Sequence, residues 1–235
     1  MKPVLILQHM SSDGPAYLQT WLREKGLAHE VRDSDAGQVF PDSMDGYAAL
    51  AVLGGAMSAN DELPSLRQAE RLILQAMADV KPVIGHCLGG QLMARALRAR
   101  VSASPAPEIG WQALQVHDTP EARQWFGHEP THTVMHWHYE SFGLPAGAHW
   151  LASSPACPHQ AFAIGPHLAM QFHIEIDAPK LERWLSHGDP LWAPARVEHA
   201  SVQDAATMRA LLPQYLRSHH ALADRLYARW IASAG

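Results

Sequence analysis

The sequence predicts an α/β protein with a mostly parallel central sheet, helices on both faces, some antiparallel strands and extra helices at the C-terminus. Three observations predict it. Short continuous apolar runs alternate with helical periodicity in the N-terminal part, and strands without polar alternation belong to parallel sheets covered on both sides. The middle of the chain turns to short strand candidates broken by Pro and Gly. After Asp177 helical periodicity resumes.

Each element follows from its residues. Pro3 to His9 is an aliphatic, β-branched run; a polar Ser11-Ser12-Asp13-Gly14 turn leads to Tyr17, Leu18, Trp21 and Leu22 at helical spacing. Tyr47 to Leu53 is a second strand, ended by Gly54-Gly55. Leu63, Leu66, Ala69, Ile73 and Met77 then mark one helix face. A third strand, Pro82 to Gly85, reaches Cys87 and gives way to the helical run Gln91 to Leu97. Strand candidates follow at 112–117, 131–137, 148–152, 160–164 and 168–173, with little helix between them. Asp189 to Pro194 reads as a connecting loop. Beyond it Met208, Leu211, Leu212, Tyr215, Leu222, Leu226, Trp230 and Ile231 fit one helix face, with Pro213 a helix start or kink. The expected organisation is a catalytic domain over 1–188 with a helical extension, 189–235, packed on it.

Composition narrows the function. The 235 residues hold 18 Lys plus Arg against 23 Asp plus Glu, a net charge of −5 with the 16 histidines neutral. A protein that binds a phosphate backbone needs a basic stripe, so nucleic acid is excluded as a partner. No apolar run approaches the ~18 residues that cross a bilayer, so the expected location is the cytoplasm with no membrane partner. There Cys87 and Cys157 stay thiols, 70 positions apart and without metal-site spacing.

The informative junction is Gly85-His86-Cys87-Leu88-Gly89, a G-x-C-x-G where a buried strand becomes a helix. A sharp turn there strains the central residue, the glycines relieve crowding, and the nucleophile stands above the sheet at a helix N-terminus that favours thiolate. Cys157 has no such surroundings and reads as a packed cysteine. A general acid and base is available in Met170-Gln171-Phe172-His173-Ile174-Glu175: two residues apart on an extended segment, His173 and Glu175 share a face, and the carboxylate can fix the imidazole for Cys87. His86 reads as a strand residue beneath the elbow. His132, His136 and His138 alternate on one strand candidate, with His128 nearby, but no Cys or carboxylate pair completes a metal site, and the reading calls for neither metal nor cofactor.

Together these residues resemble the class I, or triad, glutamine amidotransferases, and within them the stand-alone GMP-synthetase-like proteins. Cys87-Leu88-Gly89-Gly90-Gln91 is similar to the family's C-x-G-x-Q, and Gln171-Phe172-His173-Ile174-Glu175 to its Q-F-H-P-E, with Ile174 in place of Pro. Gly54 to Asp61 is similar to the glycine-rich oxyanion strand, and the likeness continues through Trp137 to Phe142 and Cys157 to Phe162, covering roughly residues 4 to 185. The resemblance implies a flavodoxin-like glutaminase fold. It implies a Cys87-His173-Glu175 triad and an oxyanion hole from the N–H groups of Gly55 and Leu88. Gly54, Gln91 and the backbone at His138 and Tyr139 would hold the amino-acid end of glutamine. A γ-glutamyl thioester on Cys87 would release ammonia. No G-x-x-x-x-G-K-[ST] loop is present and the tail is too short for an ATP-dependent domain, so the acceptor acts in trans, through a synthetase partner; a second copy of the chain is also left open. The alternatives are a γ-glutamyl hydrolase or peptidase with the same triad and a non-catalytic scaffold.

Overall fold

A computed structural model of the chain describes residues 1–234. One nine-stranded sheet organises it, in the order β2-β1-β3-β4-β9-β8-β7-β5-β6. The first part is β1 (Val4–Gln8), α1 (Ala16–Glu24), β2 (His29–Asp33), β3 (Ala49–Val52), α2 (Pro64–Ala78), β4 (Val83–His86) and α3 (Leu88–Ala96). The second is β5 (Val101–Val116), α4 (Pro120–Phe126), β6 (Thr131–Phe142), β7 (His149–Ser153), β8 (Ala161–Ile164) and β9 (His167–Met170). Three helices follow: α5 (Ala178–Ser186), α6 (Trp192–Glu198) and α7 (Ala205–Ile231). Strands β2, β1, β3, β4 and β9 pair in parallel, and β9, β8, β7, β5 and β6 pair antiparallel. The expected fold class is therefore the one observed.

Strand alternation divides the core. Val4 and Ile6 of β1 join Leu18, Trp21 and Leu22 of α1 and Leu222, Leu226 and Trp230 of α7 on one face. Leu5 and Leu7 join Leu66, Leu72 and Ile73 of α2 and Leu92 and Met93 of α3 on the other. A third cluster gathers Ile109, Trp111 and Met135 under Leu181, Ala195, Val202 and Met208. Each large apolar side chain so buried contributes roughly 1.5–3 kcal/mol. The C-terminal helices are thus part of the core: Tyr227 and Trp230 are wholly buried.

Several elements differ from expectation for identifiable reasons. β2 escaped notice because His-Glu-Val-Arg-Asp is an edge strand, every residue half-buried, with no apolar run. The candidates at 112–117 and 131–137 are the ends of much longer strands: Pro105 and Pro107 lie inside β5, where a register shift between Ala103 and Glu108 absorbs them. α4 lies between β5 and β6, where little helix was expected, with Thr119 capping it by accepting from Ala122 N at 3.2 Å. Residues 192–194, read as loop, open α6; Pro194 sits in its first turn, where a missing N–H costs nothing. Pro213 lies inside α7.

The β4-to-α3 turn is built on close approach. Cys87 has φ 49° and ψ −109°, a conformation that costs a residue with a side chain roughly 1–3 kcal/mol. A β-carbon on Gly89 would strike the Val52 carbonyl oxygen, and one on Gly90 the Met170 carbonyl oxygen. Gly89→Ala is expected to destabilise by roughly 3 kcal/mol, read as a fall of about 6–12 °C in melting temperature. An unchanged Tm would show that α3 does not press on the sheet as described.

Candidate active site

Topology brings the distant motifs together. β4 and β9 are parallel neighbours with His86 opposite Met170, and Cys87 N donates to Met170 O at 2.9 Å. Both chains leave the sheet at the same end, the end at which ligands collect in open α/β sheets. One residue past Met170, Gln171 Nε2 donates to Cys87 Sγ at 3.5 Å. Two further on, His173 is held by a bridge to Met135 of β6. The segment bends beyond Met170 rather than continuing as strand, yet His173 Nδ1 and Glu175 Oε1 are 2.6 Å apart.

The convergence is tightest over Gly54. A β-carbon there would meet His173 Cε1 at 2.9 Å, Asp13 Oδ2 at 2.8 Å and Cys87 Cβ at 3.7 Å. Cys87 is 6% exposed and His173 2%. Burial works against an imidazolium at His173, but the Glu175 carboxylate, joined by Cys87, outweighs it and raises the pKa to about 10. Burial likewise favours a neutral Glu175, yet Lys180, His173 and His86 hold its carboxyl well below the usual range. The arrangement is a thiol at a strained elbow with a carboxylate-anchored acid and base beside it.

The other predicted residues fall around this centre. Leu88 is the first residue of α3, so its N–H belongs to the turn that has no intrahelical acceptor. Gly55 packs under Leu88 Cδ2, which a β-carbon would meet at 3.0 Å. Gln91 Nε2 donates to Glu140 O at 3.0 Å and lies 3.3 Å from Gln171 Oε1. The His138 ring turns inward to Glu108, and Tyr139 OH donates to Asp189 Oδ2 at 2.6 Å, so both side chains are engaged elsewhere. Trp137 O lies 3.6 Å from Cys87 Sγ, and the Trp137 ring packs against Trp184 and Trp192. Cys157 is wholly buried.

The histidine grouping differs from the sequence reading. His132 lies further along β6 near Phe126, whereas Glu108, opposite His138 on β5, supplies a carboxylate the sequence did not reveal. Ligand atoms of Glu108, His136 and His138 lie within 4.8 Å of one another. Glu108 already accepts from His138 Nε2 at 3.1 Å and from Gln160 Nε2. Burial opposes its ionisation, but His136 and His138 outweigh that and lower its pKa to about 2. A closed set of hydrogen bonds accounts for the group.

Sequence reasoning also missed Asp13 and Lys180. Lys180 Nζ is 2.9 Å from Glu175 Oε1, the oxygen that meets His173, and 2.6 Å from Asp13 Oδ1. A lysine in the first turn of α5 opposes the helix dipole. That misplacement was the available signal.

Comparison with known proteins gives the family of the chain. The family model for glutamine amidotransferase class-I matches residues 18–183. The glutamine amidotransferase-like protein YfeJ of Salmonella typhimurium is 31% identical over 218 residues, covering 89% of this chain and 90% of its own. A glutamine-hydrolysing GMP synthase subunit from Thermoplasma acidophilum is 31% identical over 160 residues, covering 66% of this chain and 76% of its own. The crystal structure of a glutamine amidotransferase from Methylobacillus flagellatus superposes with a TM-score of 0.92 at 33% identity, covering 100% of this chain and 96% of that one. The chain belongs to the class I glutamine amidotransferase family. Among the described residues no helix is long and apolar enough to cross a membrane.

Proposed function

We propose that the chain hydrolyses the side-chain amide of glutamine and releases ammonia to an acceptor in trans. The observation that carries this reading is the meeting of Cys87, at its strained turn, with the His173–Glu175 pair over Gly54. The Cys87 thiol passes its proton to His173 as the sulfur bonds to the carboxamide carbon, and the Gly55 and Leu88 N–H groups receive the oxyanion; preorganised donors of this kind lower a barrier by roughly 3–4 kcal/mol each. As the C–N bond breaks, His173 gives its proton to the departing nitrogen. It then takes a proton from the water that attacks the thioester, and glutamate leaves as sulfur regains the proton. Glu175 orients the ring throughout. Residues 1–188 form the catalytic part, with 189–235 as its packed extension. A separate synthetase as acceptor fits the likeness to the GMP synthase of Thermoplasma acidophilum, in which the matching chain is one subunit of the enzyme.

Glu175→Gln is expected to lower kcat roughly 10⁴-fold, because an amide can hold the wrong imidazole tautomer. It also leaves a buried lysine short of one carboxylate, so stability falls by roughly 3–5 kcal/mol. Kinetics with thermal melts check both. Ammonia release from glutamine, compared with release of amine from γ-glutamyl amines and peptides, tests the substrate class. Glutamine should be preferred. Turnover of γ-glutamyl amines alone would transfer the site to a hydrolase role, and turnover of nothing, with candidate synthetases supplied, would favour the scaffold.

A further inference from the structure

We propose that Lys180 is a positioning residue for the reaction: its ammonium, clamped between Asp13 and Glu175, fixes the carboxylate that orients His173. The inference rests on the glutaminase reading and deepens it. Lys180 is 0% exposed, in an interior where an unpaired ammonium is untenable. Its three protons meet three acceptors: Asp13 Oδ1 at 2.6 Å, Glu175 Oε1 at 2.9 Å and Gly14 O at 3.0 Å. An ammonium carries three donors, so the set is complete.

Every element of the clamp is itself held. Asp177 caps α5 by accepting from Lys180 N at 2.7 Å, which fixes the backbone that carries the ammonium. Trp184, one turn on, donates to Asp13 Oδ1 at 3.1 Å and lies against the His173 ring with centroids 4.6 Å apart. The main chain of Glu175 is tied to α1 through Tyr17 N, 3.0 Å from Glu175 O. Glu175 Oε1 therefore serves two partners at once, and its place is set by the lysine as much as by the histidine. Glu175 Oε2 has no hydrogen-bond partner; the His86 ring lies beside it, with Nε2 at 3.9 Å. Without Lys180 nothing but His173 would restrain the carboxylate, and two buried carboxylates would face each other across the vacated space. A misplacement of about 1 Å can cost 10²-fold in rate.

The clamp is tested by Lys180→Met and by the charge-balanced double variant Asp13→Asn/Lys180→Met, which spares the fold a lone buried carboxylate pair. Two readouts are taken on protein shown to be folded by circular dichroism: kcat and KM for glutamine, and the rate of Cys87 alkylation by chloroacetamide. We expect kcat to fall at least about tenfold in both variants with KM within about twofold, and alkylation to slow in parallel. A double variant with wild-type kcat and alkylation rate would overturn the proposal, since Lys180 would then merely offset Asp13. A rise in KM at constant kcat would overturn it too. If the wild type alkylates at Cys87 but releases no ammonia, the glutaminase reading fails on its own, and the alkylation rates still decide whether Lys180 positions the site.

Discussion

Cys87→Ala is expected to abolish glutamine hydrolysis, with kcat reduced roughly a thousandfold or more, while the protein stays folded. The argument has two parts. Sulfur is the atom that forms the thioester, and no neighbour can replace it: Cys157 is wholly buried in its own loop, where Ser154 N donates to Cys157 O at 2.8 Å. Alanine, by contrast, keeps the β-carbon and removes only an atom that is loosely held, by Gln171 Nε2 at 3.5 Å and near Trp137 O at 3.6 Å. The turn that strains Cys87 is imposed by Gly89 and Gly90 packing on Val52 and Met170, and it survives the change. Parallel measurements of turnover and melting temperature separate the two effects. Residual turnover within tenfold of wild type would show that another group attacks the amide.

Mild acid is expected to unfold the protein steeply, with a midpoint between about pH 4.5 and 6. Five histidines are buried and neutral: burial lowers His9, His86 and His167 to about 4, and His136 and His219 to about 3. Both ring nitrogens of His9, His136 and His219 lack hydrogen-bond partners, and so does Nδ1 of His86; none can accept a proton without being left charged in the core. His167 Nδ1 accepts from Val83 N at 3.2 Å, which holds its neutral form.

In the unfolded chain each histidine titrates near its ordinary value of about 6.5. As pH falls below that value the unfolded state binds protons the native state refuses, so stability drops by up to about 1.4 kcal/mol per pH unit for each histidine. Five together reach about 7 kcal/mol per unit, comparable to the whole stability of a domain, roughly 5–15 kcal/mol. His173 has the opposite sign. With its pKa raised to about 10, its contribution is complete below 6.5 and is lost only as pH rises through 10. The lowered carboxyls of Glu175 and Glu108 lose their contributions below the ordinary carboxylate range, deepening the acid limb. Melting temperature followed from pH 8 to 4 checks this, and His136→Leu should reduce the protons taken up on unfolding by one. A Tm that is flat to pH 4.5 would contradict the neutral, buried state of these rings.

Much of the scaffold was legible because parallel strands buried on both faces leave unbroken apolar runs, as Val4 to Leu7 and Ala49 to Val52 do. β2 was not, since an edge strand needs no such run. Strand lengths were misread where proline met a register shift at Pro105 and Pro107, a compensation only the pairing reveals. At the site, Cys87, His173 and Glu175 were readable because elbow sterics and strand-end placement leave local signatures. Lys180, Asp13 and Glu108 were not. Their roles arise between elements remote in sequence, α5 with the β1–α1 loop and β5 with β6, and only the folded topology juxtaposes them.

The most direct measurement is mass spectrometry of the protein after brief incubation with an electrophilic ketone analogue of glutamine, with peptide mapping of both cysteines. The geometry predicts one adduct per chain, on Cys87, suppressed by excess glutamine and slowed in Glu175→Gln. An adduct on Cys157, or intact protein with no adduct at all, would contradict the assignment of Cys87 as the nucleophile.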